Sequence, residues 1–295
     1  LRQIIFQLLA DLSDQVEDPL PDSVVTKYKF PDRRSAFKEI HFPGLQPGKS
    51  RAFSLRELES RKTVSYQRFI FEEFFLFQLG LQITKQRRQS QPKERVICID
   101  KEIRNIIKSI LPFHPTAAQK RVLKEIVDDL CSSRVMNRLL QGDVGSGKTI
   151  VALQAMIVVV ENGYQAALMA PTEILAEQHF KNLEKYLVDT HYKLALLTSR
   201  IKGKDRLSVL SQVDKGQVQM LVGTHALIQK GVDFENLGLI VIDEQHRFGV
   251  SQRSQLMKKG NRPETLVMTA TPMPRSLAMT LYGDLDLSVL DELPP

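Results

Sequence analysis

The chain has 295 residues, 42% hydrophobic and 25% charged, with a net charge of +7 and an isoelectric point near 9.3. The composition is globular, with neither an internal repeat nor a low-complexity tract. The two cysteines, Cys98 and Cys131, form no C-x-x-C pair, which excludes a zinc ribbon and a disulfide framework and makes a reducing cytoplasm the expected compartment. The longest apolar run, 150–160, is interrupted by Gln154 and is too short to cross a bilayer, and the opening Leu1-Arg2-Gln3-Ile4 is no signal peptide. A basic balance suits a polyanionic partner, because Lys and Arg displace condensed counterions from phosphates, although solubility alone would be served equally well. The length accommodates one α/β domain of about 200 residues and a smaller piece. Leu1 and the closing Leu293-Pro294-Pro295 read as cuts from a longer chain.

In chain order, Ile4, Ile5, Leu8, Leu9 and Leu12 predict an amphipathic helix over 1–18, ended by Pro19 and Pro21. Pro31, Pro43, Gly44, Pro47 and Gly48 mark 21–48 as a connector with short helices at most. Phe69, Ile70, Phe74, Phe77 and Leu81 fall at helical spacings and predict a long helix over 55–85. Its aromatics, which include Phe71 and Phe75, could stack on bases, but on a periodic helix core packing is the better reading. The polar run 86–92 ends the helix, and a domain junction is expected near residue 95. Beyond it, β-branched or apolar runs at 137–141, 166–170, 194–198, 219–223, 239–242 and 265–269 alternate with helical segments. That alternation predicts an α/β fold, a parallel sheet with helices on both faces, whose active residues sit at the carboxyl ends of the strands.

The strongest motif is Gly142, Asp143, Val144, Gly145, Ser146, Gly147, Lys148 and Thr149, which satisfies G-x-x-x-x-G-K-[ST] between an apolar run and a helical segment. Glycines let successive backbone N–H groups curl inward at a helix N-terminus, an electropositive nest for phosphate. Lys148 would reach the β- and γ-phosphates of ATP, and the Thr149 hydroxyl would ligate Mg²⁺. About 100 residues on, the run 239–242 ends in Asp243 and Glu244. Asp243 would hold Mg²⁺ through water, and Glu244 would orient and deprotonate the attacking water. Gln245 and His246 sit where loss of the γ-phosphate could be sensed, and Phe248 is either an exposed contact or a packing anchor.

Upstream, Pro115, Thr116 and Gln119 form a P-T-x-x-Q pattern, with Phe113 two residues before it. Gln119 can both donate to and accept from adenine, Phe113 could stack on the ring, and Thr116 would cap the helix that carries Val122, Leu123 and Ile126. Three further strand ends carry polar clusters: Thr172 with Gln178 and His179, Lys202 with Lys204 and Arg206, and Thr224 with His225. Each alone could be ordinary capping, but three on one sheet edge suggest a strand-tracking groove for nucleic acid. Thr269, Thr271 and Arg275 close the series, where two hydroxyls could bond both the acidic loop and the nucleic acid.

Together the strings at 139–149, 170–179, 243–250 and 269–275, with the tail at 282–286 and 291–295, resemble the first, RecA-like motor domain of superfamily 2 helicases and specifically the RecG family. The run Asp18, Pro19, Leu20, Pro21 and residues 39–43 are similar, more diffusely, to the helical connector that follows that family's wedge domain. The resemblance implies a connector over 1–95 and a first motor domain over 96–295. It also implies ATP and Mg²⁺ as cofactors, and remodelling of stalled forks and Holliday junctions in repair and recombination by a soluble, monomeric enzyme. A second motor domain with an arginine finger and the wedge domain are implied but lie outside these residues, so little turnover is expected of this stretch alone. Ser199 stands where the family commonly has Gly, which leaves the detail of that loop open. Transcription-repair coupling translocases share the Arg247-Phe248-Gly249 extension but usually carry Glu in place of Gln245, and a catalytically idle DNA-binding module would not need Lys148, Asp243 and Glu244 intact.

Overall fold

A computed structural model describes residues 2–11, 17–42, 60–89, 93, 95–244, 255, 259–271 and 285–294. The chain forms two compact units, Leu1–Ile83 and Thr84–Pro295. In the first, helices span Arg2–Asp11, Asp22–Tyr28 and Arg33–His41, and a long helix begins at Val64 and runs to Gln89. The connector therefore holds short helices, as its prolines suggested. Asp32 starts one of them by accepting the Ser35 N–H at 2.9 Å. The long helix extends beyond the expected end at 85, and 51–59 lie outside the described residues. Phe69 packs on Phe37 with centroids 4.5 Å apart, and Phe71 packs against Tyr28, Phe30 and Phe75. Half-buried Phe69, Phe71 and Phe75 thus pack within the unit, whereas Phe74 and Phe77, also expected in the core, are exposed. Fully buried Arg68 is held by Asp18 at 2.6 Å and Glu72 at 3.4 Å. The arrangement gives the acidic Asp18 of the Asp-Pro-Leu-Pro run a structural task.

The division after Ile83 falls earlier than the junction expected near residue 95. The reason is a pair of cations that composition alone presents as linker. Lys93 Nζ donates to the Leu130 carbonyl at 2.5 Å and to Glu264 Oε1 at 3.1 Å. Arg95 donates to the carbonyls of Leu237 and Gly238 at 3.3 and 3.1 Å and to those of Asn261 and Arg262. Both side chains thus tie this stretch to the amino ends of strands far along the chain.

Among the described residues, seven parallel strands form one sheet: β1 Asn137–Gly142, β2 Gln165–Met169, β3 Leu194–Leu197, β4 Met220–Gly223, β5 Leu237–Asp243, β6 Glu264–Thr269 and β7 Asp286–Leu290. Their order is β3-β4-β2-β5-β6-β1-β7. Successive residues of a strand enter opposite apolar layers. Leu140, Leu168 and Val241 join one cluster with Met156 and Ile126, while Leu139, Ala167 and Ile240 join the other with Leu221 and Leu227.

The Lys148–Glu161 helix is buried along 151–160, which explains why its apolar residues show no one-sided pattern. Two elements were not foreseen. The Lys101–Ile110 helix starts where Asp100 accepts the Ile103 N–H at 2.9 Å, and β7 pairs with β1 at the end of the strand order. The run 286–290 is short and contains Ser288, so it offers little strand signal of its own.

Candidate active site

The glycine-rich loop leaves β1 and opens the Lys148–Glu161 helix. Gly145 and Gly147 both have φ of +88°, a left-handed conformation that side chains disfavour. A Cβ on Gly142 would come within 2.6 Å of Ser146 Oγ and 2.9 Å of Leu290 Cβ, so the loop also requires a close approach there. Asp143 and Val144 are exposed at the loop's crest, Ser146 is buried beneath it, and Thr149 is half-buried in the first helical turn. Lys148 Nζ folds back onto the Gly142 and Asp143 carbonyls at 2.7 and 2.9 Å. Burial pushes its ammonium below the ordinary lysine value, while Asp243, Glu244 and Asp143 pull it back up. Lys148 therefore lies in the field of the acidic strand tip.

That tip is the end of β5. β6 lies between β5 and β1, with Asp243 in register with Met268 and Gln141 in register with Thr269. Asp243 is 8% exposed, and its Oδ2 lies 2.7 Å from His179 Nε2. Glu244 has a φ of +52°, held by its N–H on the Met268 carbonyl at 2.9 Å and by its Oε1, which accepts the Ala270 N–H at 3.0 Å. Thr269 Oγ1 lies 2.8 Å from Thr271 Oγ1. Asp243 at the strand tip and Thr149 in the first helical turn after the loop offer a carboxylate and a hydroxyl. Hard oxygen donors in small number fit Mg²⁺, which shares its shell with phosphate and water. Among the described residues no group of three His, Cys, Asp or Glu side chains forms a separate metal cage.

Gln119 is buried and accounts for both ends of its amide. Oε1 accepts the Thr116 N–H at 3.1 Å, Thr116 Oγ1 accepts the Gln119 N–H at 3.2 Å, and Nε2 donates to the Ser146 carbonyl at 2.9 Å. The expected cap is thus a capping box that also braces the phosphate loop. Phe113 is 40% exposed and meets Tyr186 edge-on at 6.3 Å. The tail at 291–295 entered the sequence analysis only as part of a resemblance, and its contacts were not foreseen: Glu292 Oε2 accepts the Ala118 N–H at 3.0 Å, and Asp291 pairs with Arg121 at 2.8 Å. No local signal announces that contact, since the partners are about 170 positions apart.

The candidate nucleic-acid residues follow β2, β3 and β4, which are neighbours at one end of the sheet. Thr172 is exposed and caps the Glu173–Leu187 helix by accepting the Leu175 N–H at 3.3 Å. Buried Thr224 accepts the Ala226 N–H at 3.5 Å. Each hydroxyl keeps its proton for another partner. Gln178, Lys202 and His225 are all exposed. Arg200, in contrast, is engaged by Glu173 and Glu177 at 2.9 and 3.0 Å. His179 departs from its expected place in this group, because its ring meets Asp243. Gln245, His246, Phe248 and Arg275 lie outside the described residues.

A DEAD/DEAH box helicase model matches residues 116–280. The ATP-dependent DNA helicase RecG of Aquifex aeolicus is 48% identical over 278 residues, covering 94% of this chain and 34% of that protein. The ATP-dependent DNA helicase RecG of Haemophilus influenzae is 48% identical over 300 residues, covering 100% of this chain and 42% of that protein. Among solved structures, RecG bound to a three-way DNA junction superposes with a TM-score of 0.76 at 38% identity, over 99% of this chain and 38% of that one. The chain thus spans well under half the length of these relatives.

Proposed function

The chain belongs to the DEAD/DEAH box helicase family, and we propose that it is the connector and first motor domain of a RecG-type, ATP-driven helicase that remodels branched DNA in repair and recombination. The observation that carries this reading is the meeting of the phosphate loop and the acidic tip. Lys148 on one side of β6 feels Asp243 and Glu244 on the other. The relatives' names and the junction-bound structure supply the substrate class.

In this reading the loop amides and Lys148 bind the triphosphate. Lys148 exchanges its two loop carbonyls for phosphate oxygens, whose negative charge offsets the desolvation of its ammonium. Thr149 and, through water, Asp243 would hold magnesium, which would neutralise charge on the phosphates. Glu244, fixed by Ala270, orients the attacking water and takes its proton. Thr172, Gln178, Lys202 and His225 face the nucleic acid, buried Thr224 caps the turn that carries His225 rather than reaching the surface, and the Thr269–Thr271 pair lies between the two tasks. The enzyme is read as a cytoplasmic monomer. Among the described residues no helix is long and apolar enough to cross a membrane.

The test is ATP hydrolysis by the full-length protein with and without forked or three-way-junction DNA. Stimulation by branched DNA over linear duplex is expected, and its loss in Lys148→Ala. Equal rates on all DNAs would overturn the substrate assignment.

A further inference from the structure

We infer that His179 is a positioning residue for the metal-handling carboxylate, holding Asp243 through its Nε2 so that one chosen oxygen is left to face magnesium. This rests on the nucleotide-site reading above. The two atoms, His179 Nε2 and Asp243 Oδ2, are 2.7 Å apart, and each side chain is 12% exposed. The carboxylate oxygen accepts, so Nε2 carries the proton.

The placement follows from the helix. Thr172 caps the Glu173–Leu187 helix, and Ala176 and Leu183 are buried positions on it. His179 follows Ala176 by three residues and precedes Leu183 by four, so it shares their face. β2, which feeds this helix, lies beside β5 with Met169 in register with Ile242, the residue before Asp243. The helix therefore begins next to the acidic tip, and its inward face delivers the imidazole there.

A carboxylate has two oxygens and several lone-pair directions. Engaging Oδ2 restricts its rotation and reserves Oδ1 for a metal-bound water. Outer-shell partners of this kind are worth roughly 10- to 100-fold in metal affinity or activity. The same helix starts at Thr172 on the candidate nucleic-acid edge, so one rigid element joins both sides of the site.

The experiment uses the full-length protein with His179→Ala, His179→Phe, which keeps bulk without a donor, and His179→Gln, which keeps a donor. Fluorescent ATP analogue is titrated without metal and then against Mg²⁺ and Mn²⁺, beside three-way-junction binding. In the Ala and Phe variants metal-free nucleotide affinity is expected to stay within about twofold, while the metal concentration for half-saturation rises roughly 10- to 100-fold. His179→Gln should recover most of that loss, and junction binding should hold. Unchanged metal dependence in the folded Ala or Phe variant, or a defect confined to junction binding, would overturn the assignment. Because metal titration needs no turnover, absence of fork-stimulated hydrolysis in the unmodified protein would count against the helicase reading alone.

Discussion

Gln119 donates its side-chain amide to the Ser146 carbonyl at 2.9 Å, so a residue in the first turn of one helix braces the phosphate loop that opens another. Removing the amide in Gln119→Ala forfeits this bond and half of the capping box. A buried hydrogen bond is worth about 1 kcal/mol net, which corresponds to roughly a fivefold loss of ATP affinity. Calorimetric titration with ATP checks this. A simultaneous fall in the preference for ATP over GTP would mark a second role of the amide in reading adenine.

Gly147 makes the same contact intolerant of a side chain. A Cβ there would collide with Gln119 Nε2, on a backbone with φ of +88°. Gly147→Ala is expected to reduce nucleotide binding more than Gln119→Ala does, since a left-handed alanine costs about 1–2 kcal/mol besides the clash. The double variant Gly147→Ala, Gln119→Ala should recover part of the loss of Gly147→Ala, because the clash is then gone and only the strain and the lost brace remain. Titrating both variants with a fluorescent nucleotide decides this.

Lys148 sits below its ordinary value because it is buried, and Asp243 opposes that shift. Triphosphate binding needs the ammonium, so metal-free affinity should begin to fall at a lower pH than an exposed lysine would allow. Asp243→Asn removes one opposing charge, and the fall should move to still lower pH. A titration series on the alkaline side of neutrality reads the displacement, and a shift in the other direction would refute the electrostatic link.

Glu264 is fully buried against Lys93 and the Met136 N–H, and burial pushes its carboxyl above the ordinary value despite Lys93. An acid whose folded value is raised favours the fold most at low pH, and that contribution declines as pH climbs from the unfolded value through the folded one. Glu264→Gln should therefore destabilise more at acid than at neutral pH. Urea unfolding at each pH measures the difference.

Where a function depends on neighbours in the chain, the sequence by itself determined it. The glycine spacing of 142–149, the acidic end of a β-branched run at Asp243, and the Thr116 cap are local patterns, and each lies at the strand end or helix start it announced. The parallel α/β order was legible for the same reason, since buried strands read as short apolar runs. Only the tertiary structure decided which of these ends meet. It carried His179 from the expected nucleic-acid edge to Asp243, drew Lys93 and Arg95 onto strands that begin far along the chain, and set Glu292 on the Ala118 N–H. Such contacts join residues from 64 to 174 positions apart. They depend on the sheet order β3-β4-β2-β5-β6-β1-β7, which no single segment encodes.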